Sequence, residues 1–145
     1  MALADTLRIT TVSVAKDRVE ATMPITPDLF QPFGFLHGGA TIALLETVAS
    51  IGTEQSTDFD VERPFGIDVH VRHRKSGTAG LLRGVAELER EGPARSGGVK
   101  QFWRVTAFDD EGDVVSGGTI MTKIVPLARL EEKARERAAS REQVL

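Results

Sequence analysis

The chain has 145 residues, 41% of them hydrophobic and 27% charged, which fits one globular domain and leaves no room for a second substantial core. A net charge of -3 argues against a general polyanion binder, so no nucleic-acid partner is expected. There is no cysteine for a disulfide or thiolate site, no basic start leading into an apolar core, and no run near the ~18 apolar residues of a membrane span; a cytoplasmic protein with no membrane partner is expected.

Strand-like alternation comes first. Leu7 to Val14 is rich in β-branched residues, and Arg18 to Met23 resumes the pattern after the polar turn Ala15-Lys16-Asp17, which predicts a hairpin. Pro24, Pro27 and Pro32 then forbid a long regular element, so residues 24–36 are expected as an ordered loop carrying Leu29, Phe30, Phe33 and Phe35 inward. Gly38 to Thr53 contains no proline, one charge and many helix-favouring residues. A helix this apolar all round is expected to be enclosed by the rest of the fold.

Strands follow over 65–76, 80–91, 99–109 and 113–125, separated by glycine-, proline- and aspartate-rich turn signals. Long antiparallel strands must bury one face, and the only apolar partner of matching length is the helix around Glu46. The expected class is α+β, a long central helix wrapped by a curved antiparallel sheet within residues 1–126. Residues 127–145 are dense in Glu, Arg and Ala and predict a charged helical tail.

Absent motifs narrow the chemistry. The chain has no GxSxG elbow, phosphate-binding GxxxxGK[ST] loop, GxGxxG or HExxH. His70 and His73 stand three apart on a strand and so point to opposite faces, and no cysteine or acidic cluster completes a ligand set; no metal is expected.

Glu46 is the one carboxylate in the apolar run ATIALLETVAS. Burying an unpaired charge costs several kcal/mol, so its presence needs a reason. Ser50 lies one helical turn further on the same face, where its hydroxyl can sit beside the carboxylate or hold a water. Upstream, Gly38-Gly39 leaves backbone N–H groups uncovered at a helix N-terminus, an acceptor site for a carbonyl oxygen gaining negative charge. Two glycines and a histidine serve equally as a plain helix start, and a lone glutamate can be satisfied by a neighbour. A second cluster is basic: His70, Arg72, His73, Arg74 and Lys75 on one strand end, with Arg90 and Arg95 around the following loop. It reads either as a solvated face or as a local anion site for phosphates.

QPFGFLHGGATIALLETVASIG, followed by GIDVHVRHRKSGTAG, resembles the hotdog-fold acyl-coenzyme A thioesterases, in particular the group containing the phenylacetate-pathway and Glu-on-helix 4-hydroxybenzoyl-CoA enzymes. The resemblance covers about residues 20–125. It implies a hotdog fold, a homodimer that forms the active site between protomers, and pairing of dimers into a tetramer. It further implies that Glu46 is the catalytic carboxylate, as nucleophile or general base, and that the Gly38 N–H polarises the thioester carbonyl. Gln31 would contact the thioester region, His37 would shape the site, and Ser50 would orient water or the carboxylate. Coenzyme A contacts would come from Gly66, from His73, Arg74, Lys75 and Ser76, and from Arg90, Gly92, Arg95 and Ser96. The implied function is hydrolysis of acyl-CoA thioesters, with aromatic or hydroxyaromatic acyl groups favoured. No cofactor is implied, coenzyme A being part of the substrate. A non-catalytic acyl-CoA-binding module and a thioesterase for short or medium aliphatic acyl groups are the alternatives.

Overall fold

The structure, a computed structural model, describes residues 2–95 and 97–144. It opens on an element absent from the sequence-based reading, the single-turn helix α1 (Leu3–Thr6). The expected hairpin follows as β1 (Thr10–Val14) and β2 (Arg18–Pro24).

The proline-rich loop departs from expectation in where its aromatics point. Leu29 and Phe30 pack against the core, but Phe33 is 83% and Phe35 43% exposed. The cause is a tight turn: Gly34 N–H donates to Gln31 C=O, Gly34 takes a positive φ of 90°, and the Gln31 side-chain oxygen accepts from Phe33 N–H. That geometry turns Phe33 outward, and Leu36 becomes the loop's buried anchor.

Helix α2 (Gly38–Glu54) buries Thr41, Leu44, Leu45, Val48, Ala49, Gly52 and Thr53, the i, i+3, i+4 spacing of one helical face. Enclosure on all sides is not what forms. The opposite face, carrying Gly39, Ile42, Ala43, Glu46, Thr47 and Ser50, lines an open groove. Apart from Glu46 its residues are small or apolar, which hid the difference between the two faces in the sequence.

Strands β3 (Glu62–His73), β4 (Leu81–Pro93), β5 (Val99–Phe108) and β6 (Val114–Pro126) join the hairpin in one antiparallel sheet of order β1-β2-β4-β5-β6-β3. Register shifts between Gly66 and Asp68 and between Leu88 and Arg90 are bulges that bend the sheet around α2. Trp103 fixes the helix to the sheet. Its Nε1–H reaches Thr53 Oγ1 at 3.2 Å and Thr122 Oγ1 at 3.1 Å, and its ring fills the space a side chain at Gly52 would need. Helix α3 (Leu127–Val144) buries no residue. Among the described residues no helix is long and apolar enough to cross a membrane.

Candidate active site

The start of α2 is built around His37. Its backbone is extended, its Nδ1 accepts from Gly39 N–H at 2.8 Å, and a Cβ at Gly39 would crowd the ring. That bond uses the Gly39 donor and leaves the Gly38 N–H without an acceptor among the described residues. Gly38 has its own packing reason. A Cβ there would lie 2.5 Å from Nε2 of His73, whose Nδ1 is held 2.7 Å from Ser116 Oγ. A free N–H at a helix N-terminus, with a bare Cα beside it, suits an oxygen that gains negative charge.

Glu46 sits two turns further along. Its carboxylate is half-buried over β3, where Gly66 has no side chain and any Cβ would overlap Oε1. No hydrogen bond or ion pair engages the carboxylate among the described residues. Ser50 lines the same groove of about 560 Å³, one turn on, and the two side chains are not bonded to each other. This differs from Thr47 and Thr53, whose hydroxyls return to the helix carbonyls of Ala43 and Ala49. Gly66, expected at coenzyme A, is thus the floor under Glu46.

Gln31, Gly38, His73, Lys75 and Ser76 line a second, smaller groove of about 200 Å³. A single protomer therefore separates Gln31 and Gly38 from Glu46 and Ser50, with Gly39 between them on the helix. The expected nucleotide-binding residues divide as well. His73 pairs with Ser116, whereas Arg90 pairs with Phe102, which pairs with Met121; Pro93 is reached through Val99 and Ile124. Along β6 that is roughly 17–26 Å at about 3.3 Å per residue. The stretch His73 to Ser76 and the stretch Arg90 to Arg95 thus occupy opposite ends of the sheet. Arg74 lies on the outer face beside Glu89 and Arg104, and Arg90 stacks on Phe102 at 3.6 Å from the ring centroid. Gly92 lies within β4, which continues to Pro93, and Arg95 is exposed in the hairpin turn. Ser96 lies outside the described residues.

Lys75 is already engaged. Its ammonium lies 2.6 Å from Asp109, 2.8 Å from Asp113 and 3.5 Å from Glu111. Hydrogen bonds to Asp109 and Asp113 hold its pKa well above the usual lysine value, and the same contact lowers that of Asp109. These three carboxylates bring ligand oxygens within 4.8 Å of one another, an acidic group the sequence reading did not find because their convergence depends on the β5–β6 turn. The lysine supplies its counter-charge. His70, on the other face of β3, pairs with Asp68 at 3.0 Å.

Residues 33–116 match the sequence pattern of the thioesterase superfamily. The chain belongs to that superfamily. Its relatives include 1,4-dihydroxy-2-naphthoyl-CoA hydrolases of Escherichia coli strain K12 (31% identical, covering 77% of this chain and 78% of the relative) and of Listeria monocytogenes (36% identical, covering 76% and 85%). A crystal structure of a Staphylococcus aureus protein superposes with a TM-score of 0.79 at 28% identity, covering 86% of this chain and 99% of that one. The six-stranded sheet around one helix is thus the thioesterase hotdog fold, and the chain is an enzyme of the thioester-hydrolase class.

Two parts of the candidate site escaped the sequence reading, and the outward placement of a third, Phe33, was not foreseen. Ser116 meets His73 only through the β3–β6 register, which no local motif encodes. Phe33 is carried to the surface beside Gln31 by the turn at Gly34; the Phe33-Gly34 pair was a visible turn signal. Leu3 and Ala4 reach the Glu46 groove because α1 folds back, in a segment too short for periodicity to mark.

Proposed function

We propose that this thioesterase hydrolyses acyl-CoA thioesters, preferring aromatic or hydroxyaromatic acyl groups, with Glu46 as nucleophile or general base. The observation that carries the proposal is the Glu46 carboxylate over Gly66, unpartnered among the described residues, with the Ser50 hydroxyl, likewise unbonded among them, one turn away in an open groove. The aromatic CoA esters named for two relatives support the acyl preference.

Glu46 either attacks the thioester carbon, expelling coenzyme A thiolate and leaving an anhydride for water to cleave, or removes a proton from water as the water attacks. Both routes yield free acid and coenzyme A. The Gly38 N–H stabilises the carbonyl oxygen as it gains charge, a donor worth ~3 kcal/mol in comparable sites. Gln31, whose side-chain oxygen accepts from Phe33 N–H, has an amide nitrogen with no acceptor among the described residues, and that nitrogen contacts the thioester. His37 sets the shape of the turn, and Ser50 orients water or the carboxylate.

The complete site belongs to a homodimer. β3 is a twelve-residue edge strand with one side unpaired and with Phe65 and Ile67 exposed on it. An edge of that length is a template for another strand. Antiparallel pairing with the β3 of a second copy, centred near Val69 and His70, sets Gly66 opposite the partner's His73. Glu46 of one protomer then faces the partner's Gly38 and the partner's Gln31. The same operation brings the stretch Arg90 to Arg95 toward the partner's His73, so that coenzyme A is held by residues from both copies. Two such dimers form a tetramer in the cytoplasm.

The test is thiol release from benzoyl, hydroxybenzoyl, phenylacetyl, short-chain and long-chain CoA esters. Highest kcat/KM on the aromatic esters is expected. Highest kcat/KM on aliphatic esters reassigns the acyl preference, and release from none of them replaces hydrolysis with acyl-CoA binding.

A further inference from the structure

Helix α1 faces the open side of α2, and Leu3 and Ala4 line the same groove as Glu46, Ser50, Ile42 and Ile51. The chain holds it there by its ending. Arg8 N–H donates to Asp5 C=O at 3.1 Å and Ile9 N–H to Ala4 C=O at 2.9 Å, the paired backward bonds that terminate a helix with one residue in the left-handed conformation. That residue is normally glycine; here it is Arg8, at φ 56°. A side-chain-bearing residue adopts this conformation at a steric cost, so the surrounding contacts enforce the reversal. Those contacts are visible: Ala2 N–H donates to Asp5 Oδ2 at 3.0 Å, and Leu7 and Ile9, on either side of Arg8, pack against the core. The chain is thus anchored behind α1 and folded back to hold Leu3 over the groove, where it stays 63% exposed.

An uncovered leucine on a fixed backbone, beside a groove containing the proposed reacting carboxylate, is apolar surface for a ligand. We infer that α1 forms a wall of the acyl-binding site, with Leu3 contacting an apolar acyl group of six or more carbons, chain or ring, whose carbonyl lies at Glu46. Beyond the thioester carbonyl the acyl carbons leave the polar pair Glu46 and Ser50 and meet Ile42, Ile51 and Leu3. An acetyl group ends before it reaches that wall, so Leu3 acts on selectivity. The inference rests on the site proposed above.

The experiment measures kcat/KM of the full-length wild type, Leu3→Ser, Leu3→Met and Glu46→Gln on acetyl-, hexanoyl- and benzoyl-CoA. Leu3→Ser is expected to lower the hexanoyl-to-acetyl and benzoyl-to-acetyl ratios about tenfold, mainly through KM, as removal of one apolar contact does; Leu3→Met should restore both. Ratios within about twofold of wild type for Leu3→Ser would overturn the role of α1. If Glu46→Gln is inactive while those ratios stay unchanged, the site stands and only the wall falls. If Glu46→Gln turns over at the wild-type rate, or the wild type releases no thiol, the site reading fails and the inference fails with it.

Discussion

The carboxylate of Glu46 rests on the bare Cα of Gly66, in space that any other residue would take from it. Two elements distant in sequence, a helix and an edge strand, therefore fix the position of one functional group. Gly66→Ala is expected to displace the carboxylate and lower kcat about a hundredfold, the scale on which misplacing a reacting group acts. Steady-state kinetics beside a thermal melt checks this: activity should collapse with little change in Tm, whereas parallel loss of both would make Gly66 a folding requirement alone.

Gly38 and His73 stand in the same relation at the other groove. Gly38→Ala should force the ring of His73 away and break its contact with Ser116. In a double-mutant cycle of melts with His73→Ala, the destabilisation by Gly38→Ala should largely vanish once the ring is gone. Strict additivity would mean that the two residues do not press on each other.

Trp103 joins α2 to the sheet through Thr53 and Thr122, which also bond to each other at 2.6 Å. Trp103→Phe removes the indole donor and leaves the threonine pair intact. Urea unfolding should show a loss of about 1–3 kcal/mol, combining a lost buried hydrogen bond with a small void.

Lys75 and its three carboxylates give a pH signature. Asp109 has a lowered pKa in the folded protein, so its contribution is present above the usual carboxylate value near 3.8 and is lost as pH falls through the lowered one. Lys75 has a raised pKa, so its contribution is complete below the usual lysine value near 10.5 and is lost as pH rises through the raised one. Melts of wild type and Lys75→Met should therefore differ most between those limits and converge toward strong acid. A difference independent of pH would rule out the ion pairs as its source.

The two-groove arrangement makes a prediction about assembly. Gln31→Ala and Glu46→Gln proteins, each weakly active alone, should regain about a quarter of wild-type activity after unfolding and refolding together, because half the random dimers carry one intact site. No recovery on mixing would place all the groups of a site in one protomer.

Much of this was legible before the structure, and the reasons are physical. The central helix and the four long strands carry strong composition and turn signals, and their boundaries fall within a few residues of expectation. Glu46 stood out as a charge in an apolar run, and Gly38-Gly39 as a helix start. Relationships set by register were not legible. That Gly66 lies under Glu46, that Ser116 holds His73, and that Lys75 is taken by Asp109 and Asp113 depend on which strand pairs with which and where bulges fall. The outward turn of Phe33 was missed because a proline-rich loop with four apolar side chains looks like core until its turn at Gly34 is known.

The most direct measurement is thiol release by Glu46→Gln, which keeps the shape of the side chain and removes its charge. With benzoyl-CoA as substrate and the oligomeric state confirmed unchanged, the rate is expected to fall roughly a thousandfold or more, as it does when a nucleophile or general base is lost. A rate within a few-fold of wild type would contradict the assignment of Glu46 as the group the site is built to present.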